Sequence, residues 1–309
     1  MMFRLFCPAL MAISLMTLSS QQGRAQAFSK FVIFSGSLSD TGNCASINCQ
    51  PYPSPPYYNN RNTNGPVAVD VVASLLLLSS DASLNLVGPE KGTNYAVYGA
   101  LASGNRSIDL PAQVSAYLDP RGQIADPDAL YFVFIGGNDV IEAIFQPDSV
   151  AEATLESAVV GIENAIRRIV AAGGKTILVG NFIDIGTAPG LRAAGFAGVG
   201  TARTELFNQL LDRDMSTLER SLGMRILKFD FFGFGRKYLA SADKLGFTDT
   251  TDSCLASANC DFDRFVFFND EVPTARIHQL LGNQIVESLI GQLYKSGRGF
   301  ENNPWSHGQ

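Results

Sequence analysis

The chemistry of this chain starts with a serine. The apolar run Phe31-Val32-Ile33-Phe34 reads as a short buried strand, and it breaks at once into Ser35-Gly36-Ser37-Leu38-Ser39-Asp40-Thr41-Gly42-Asn43. Ser37 therefore falls on the loop just past the carboxyl end of a strand, where open α/β sheets place their ligands. An ordinary turn serine would fit the same residues, so a nucleophile has to be argued from partners. A serine hydroxyl is a weak nucleophile at neutral pH unless a base lies within hydrogen-bond reach and a third group holds that base. The chain has two histidines, His278 and His307.

Elements that would position such a serine follow in order. Asn64-Gly65-Pro66 opens a helix over Val67 to Leu76, with Pro66 at its first turn. Leu130 to Ile135 is an unbroken apolar run, which predicts a central parallel strand buried on both faces and ending in Gly136-Gly137-Asn138-Asp139. Helix spacing runs from Val150 to Ala172 and stops at Gly173-Gly174. A strand is expected at Thr176-Val179, a helix at Thr201-Leu222 and a short strand at Arg225-Asp230. Strands alternating with helices imply a parallel sheet with helices on both faces and right-handed crossovers.

The stretch from Phe34 to Asn43 resembles the first block of the GDSL, or SGNH, hydrolases, Phe-Gly-Asp-Ser-Leu-Ser-Asp-Thr-Gly-Asn. Here Ser35 stands for the Gly and Gly36 for the Asp. Gly92 to Ala100 is similar to the second block, Gly-x-Asn-Tyr-Ala-x-x-Gly-Ala, and Gly136 to Asp139 to the third, Gly-x-Asn-Asp. The resemblance covers nearly the whole chain after the leader. It implies a three-layer α/β/α sandwich, flavodoxin-like, around a five-stranded parallel sheet, and an esterase or lipase activity. Ser37 would be the nucleophile, with the Gly99 N–H and the Asn138 side chain as oxyanion donors. Glycine suits that task because no Cβ holds the acyl oxygen away, and the Asn amide reaches where a backbone group does not. A helix-capping Asn is the plainer reading of Asn138.

Members of this family close with an aromatic and then Asp-x-x-His-Pro-Thr. Here the text is Phe268-Asn269-Asp270-Glu271-Val272-Pro273-Thr274, and Pro273-Thr274 set the register. The base position holds Val272 and the orienting carboxylate position holds Asn269. Valine accepts no proton and asparagine does not stabilise an imidazolium. Losing the base of a serine hydrolase costs on the order of 10⁶ in turnover, roughly 8 kcal/mol, while an oxyanion hole alone leaves about 10³ over water. Asp270, Glu271 and His278 are the substitutes at hand. A carboxylate would need a raised pKa to serve, and His278 is expected inside the last helix on the side of Leu281 and Ile285, packed rather than reactive.

Compartment comes from the ends and the cysteines. Arg4, the apolar run Leu5 to Leu18 and Ala25-Gln26-Ala27 read as a secretory signal over 1–27; an uncleaved anchor is the alternative. Cleavage leaves about 280 residues, consistent with a single large α/β domain over 28–309 and a short mobile C-terminal tail. Cys7 leaves with the signal. Cys44, Cys49, Cys254 and Cys260 stay, and an even count in an exported protein argues for disulfides over a metal site, with the local loops Cys44–Cys49 and Cys254–Cys260 the simplest of three pairings. A net charge of −6 without any Lys/Arg cluster excludes nucleic acid and anionic membrane surfaces as natural partners.

The expectation is a secreted or periplasmic monomer without cofactor, metal or stable membrane anchor, taking a small-molecule ester or acyl substrate. It is either a GDSL-type ester hydrolase with weak or lost turnover or a non-catalytic protein that binds an ester, lipid or glycan in the same cleft. The absence of an amphipathic lid favours small soluble esters.

Overall fold

Unbroken apolar runs form the centre of the protein. A computed structural model describes residues 27–50, 52 and 55–295; the expected signal segment up to residue 26, the C-terminal tail and His307 lie outside them. Strands β1 (Phe31–Ser35), β2 (Leu130–Phe134), β3 (Thr176–Gly180) and β4 (Leu227–Phe229) lie side by side in that order, all parallel. Every residue of β1, β2 and β3 is buried, as a sheet covered on both faces requires. A fifth lane runs beside β1. The extended segment Thr93–Val97 accepts from the Ile33 N–H at 3.0 Å, and its Tyr95 and Val97 N–H groups donate to Ile33 and Ser35 at 2.8 and 3.2 Å. Strands β5 (Asp249–Ser253) and β6 (Phe265–Phe267) form a separate parallel pair.

Nine helices appear among the described residues: α1 (Asn43–Ser46), α2 (Ala68–Leu76), α3 (Leu110–Leu118), α4 (Gly137–Ile144), α5 (Asp148–Ala171), α6 (Pro189–Ala193), α7 (Ala197–Leu222), α8 (Phe231–Ala240) and α9 (Ala275–Lys295). The pleat sorts side chains by parity. Val32, Tyr131, Val133, Ile177 and Val179 join a core with α3, α4, α5 and α7. Ile33, Phe132, Phe134, Leu178 and Phe229 join a second core with α2, α8 and α9. The result is the three-layer α/β/α arrangement, with α4 and α5 separate helices where periodicity marks only the second. Helix α7 begins four residues before the expected Thr201. Disulfides join Cys44 to Cys49 and Cys254 to Cys260, both local loops.

Helices α2 and α9 pack closely because Gly282 faces Val71; a Cβ there would come within 2.5 Å of the Val71 Cβ. This contact carries α9 across the mouth of the sheet, close to the loop that follows β1.

Candidate active site

The loop after β1 is shaped by one carboxylate. Asp40 is buried and accepts from the N–H groups of Gly42 (2.8 Å), Asn43 (2.8 Å), Cys44 (3.1 Å) and Tyr98 (2.9 Å). Burial pushes its carboxyl up to about 6 even though those four donors pull it down. The bond to Tyr98 ties the Ser37 loop to the segment that carries Gly99. Asn94 reinforces the tie, its Nδ2 donating to the Ser39 carbonyl at 2.7 Å and to Thr41 Oγ1 at 3.0 Å. At the end of β1, Gln113 reaches in from α3 to bond both the N–H and the carbonyl of Ser35, at 3.0 and 2.9 Å. The departure from the family pattern at residue 35 is accommodated here too, because the Ser35 hydroxyl is bonded to the Phe134 carbonyl and to Ser39 Oγ.

Ser37 opens a 3-10 turn, Ser37–Ser39, at the carboxyl edge of the sheet. Neither its N–H nor that of Gly99 has an acceptor among the described residues. Gly99 sits at φ +76°, left-handed backbone that glycine adopts without strain, and an added Cβ would meet nothing within 4 Å. Asn138 lies in the first turn of α4. Its Nδ2 donates to the Ala100 carbonyl at 2.8 Å, which leaves the second amide hydrogen for another acceptor. A Cβ built on Gly36 would stand 3.6 Å from that Nδ2, so residues 36 and 138 are neighbours. Next to Asn138, Asp139 is buried and accepts from the Ala102 N–H at 2.9 Å; burial pushes it up to about 6.

Ser37 and Asn138 line one cavity of about 420 Å³, together with Asp270, Glu271, Val272 and His278. Gly99 and Asn269 are outside its lining; Gly99 adjoins it through Tyr98, whose hydroxyl donates to Glu271 Oε2 at 3.2 Å. Val272, which the resemblance aligns with the family's base, is buried. Asn269 Oδ1 accepts the N–H groups of Glu271 and Val272, each at 2.9 Å, and its Nδ2 donates to Asn62 Oδ1 at 3.0 Å. The amide oxygen therefore shapes the turn as a carboxylate would, without carrying a charge.

His278 closes the first turn of α9, shallower in the helix than its distance from Pro273 suggests, because α9 starts at Ala275. Its Nδ1 accepts the Ala68 N–H at 3.2 Å and so caps the start of α2. A neutral imidazole accepting at Nδ1 carries its proton at Nε2, leaving no lone pair for a serine. Burial pushes His278 down to about 4, against the pull of Asp70. Of the expected site residues, then, Ser37, Asn138 and Val272 share one cavity, and His278 reaches it already committed to α2.

Sequence reading passes over Asn62 and Gln113 and takes Asn64 only as part of the Asn-Gly-Pro opening of α2. Asn64 Oδ1 accepts the Ala275 N–H at 2.9 Å and caps α9, and Gly65 is needed because a Cβ there would come within 2.6 Å of the Ala275 methyl. The Asn-Gly-Pro signature is thus the seat of the last helix as well as the start of α2.

The family model described as GDSL-like Lipase/Acylhydrolase matches residues 33–285. The chain is 29% identical over 188 residues to Lipase 1 of Photorhabdus luminescens, covering 60% of this chain and 26% of that protein. It is 28% identical over 240 residues to the phosphatidylcholine-sterol acyltransferase of Aeromonas hydrophila, covering 75% and 67%. The chain thus spans about a quarter of the first relative's length and two thirds of the second's. Among solved structures, a catalytic mutant of Axe2, an acetylxylan esterase from Geobacillus stearothermophilus, is 12% identical with a TM-score of 0.44, covering 85% of this chain and 95% of that one.

Proposed function

Because the chain belongs to the GDSL-like lipase/acylhydrolase family, we propose that it is an exported member whose ester-hydrolysing framework has lost its general base and turns esters over weakly or not at all. In this reading the Ser37 hydroxyl is the acyl acceptor. The Ser37 and Gly99 N–H groups and the free Asn138 amide hydrogen are the oxyanion donors. One observation carries it: buried Val272 occupies the base position while the nearby imidazole, His278, spends its lone pair on the Ala68 N–H. The signal-like leader and two disulfides support export. The names of the relatives, a lipase and a phosphatidylcholine-sterol acyltransferase, point to acyl esters as substrates.

The test is turnover of p-nitrophenyl butyrate by the chain starting at Phe28. The unaltered protein is expected near background, with Ser37→Ala removing what is left. The double substitution Asn269→Asp with Val272→His is expected to raise kcat by on the order of 10³ or more, since base and orienter act as a unit. Fast turnover by the unaltered chain that is abolished in Glu271→Gln or His278→Asn would overturn the reading. A double variant as silent as its parent would favour the non-catalytic alternative, in which the cavity holds a lipid rather than a glycan because its deep wall is apolar.

A further inference from the structure

The cavity that opens at Ser37 does not stop there. It continues between the sheet and helices α8 and α9, past Val272, to Phe132, Phe231, Phe234, Leu281 and Ile285. Phe132, Phe231, Phe234, Leu281 and Ile285 all belong to the second core, so the deep end of the space is a gap in that core and not a surface dent. The lining on α9 runs from Ile277 to Ile285, eight residues of helix, or about 12 Å at 1.5 Å per residue. With C–C bonds of about 1.5 Å, an extended hydrocarbon advances about 1.3 Å per carbon, so roughly nine carbons span that length. A volume of about 420 Å³ lies within the range that holds small ligands. An acetyl group would leave most of it empty.

Charge at the mouth restricts the head group. The lining includes the carboxylates Asp184, Asp270 and Glu271 and no Lys or Arg. A ligand ending in a carboxylate meets repulsion there without a counter-cation, whereas a neutral ester carbonyl meets the free N–H groups near Ser37. Val272 adds hydrocarbon to the wall between mouth and depth, beside the His278 ring.

We infer that this cavity takes a neutral ester of a straight medium-length fatty acid, about eight to ten carbons, with the chain lying between the sheet and α9 and the ester carbonyl at Ser37. The position of the carbonyl rests on the proposed function; the length and neutrality of the ligand rest on the cavity alone.

Calorimetric titration of the Ser37→Ala chain, which consumes no ester, tests it with 1-decanoylglycerol, 1-butyrylglycerol and decanoate. Each buried methylene contributes a factor of about four in affinity, so 1-decanoylglycerol is expected to bind at least a hundredfold tighter than 1-butyrylglycerol and at least tenfold tighter than decanoate at pH 8. Leu281→Trp and Ile285→Phe fill the depth by different amounts. Each is expected to weaken 1-decanoylglycerol at least tenfold while leaving 1-butyrylglycerol unchanged, with near-ultraviolet circular dichroism confirming the fold. Equal affinity for the two glycerides, or 1-decanoylglycerol binding untouched in a folded filled variant, would overturn the inference. Tighter binding of decanoate than of its ester would overturn the head-group assignment. Should neither variant fold, the chain-length series still decides. Fast turnover in the unaltered chain would refute weak catalysis without moving any of these titrations.

Discussion

Val272 keeps both backbone bonds that shape its loop, donating to Asn269 Oδ1 and accepting from the Phe268 N–H, each at 2.9 Å. These bonds come from the backbone, so the loop forms alike whether residue 272 carries a base or a hydrocarbon. His278 shows the converse, a residue type suited to catalysis that is used as a cap. Replacing it with alanine leaves the buried Ala68 N–H without an acceptor and is expected to cost about 1–3 kcal/mol in denaturant unfolding. His278→Asn, which offers an oxygen, should recover part of that. Asp40→Ala removes the acceptor of three buried N–H groups and one half-buried one and is expected to lower stability by about 3 kcal/mol or more, because several donors are orphaned together.

Among elements, the contact that matters most to the site is α9 seated on the turn before α2. Asn64→Ala should cost about 1 kcal/mol through the lost cap on α9. Gly65→Ala drives a methyl to within 2.6 Å of the Ala275 Cβ and is expected to cost roughly 1–3 kcal/mol, recovered in large part by Ala275→Gly in the same chain. A double-mutant cycle read by urea unfolding measures that recovery. The same turn contacts the Asn269 loop through Asn62, so shifts at Gly65 should also reduce the gain from the Asn269→Asp and Val272→His pair.

For the whole molecule, three buried titrating groups set opposing slopes of stability against pH. Asp40 and Asp139, raised from 3.8 to about 6, stabilise the folded state at low pH, and that contribution is lost as pH rises through about 6. His278, lowered from 6.5 to about 4, stabilises above 6.5 and loses that contribution as pH falls through about 4. Between these limits the terms oppose one another. His278→Asn removes the histidine's part, so its stability relative to the parent should improve by up to roughly 3 kcal/mol between pH 7 and pH 4. Urea midpoints at both pH values check this. Reduction of the two short disulfide loops is expected to cost about 2 kcal/mol each from loop closure.

Much of this protein is written in local pattern. Apolar runs with abrupt polar ends locate β1, β2 and β3, since a strand buried on both faces admits no polar break; periodic spacing locates α5 and α7. Three spaced motifs identify Ser37, Gly99 and Asn138 as candidates, and Pro273-Thr274 identifies position 272 as valine. Helices α3 and α8 carry the same spacing, in Leu110, Val114, Tyr117 and Leu118 and in Phe231 and Phe234, but over nine and ten residues only, too short to stand out, and the roles of Gln113, Asn62 and Asn64 depend on partners far away in the chain. Nor could residue types alone say that His278 aims its lone pair at α2, because that follows from how α9 crosses the sheet. The depth of the cavity has the same origin: each residue around it reads as ordinary core, and a gap exists only where α8, α9 and β2 together fail to fill the space between them.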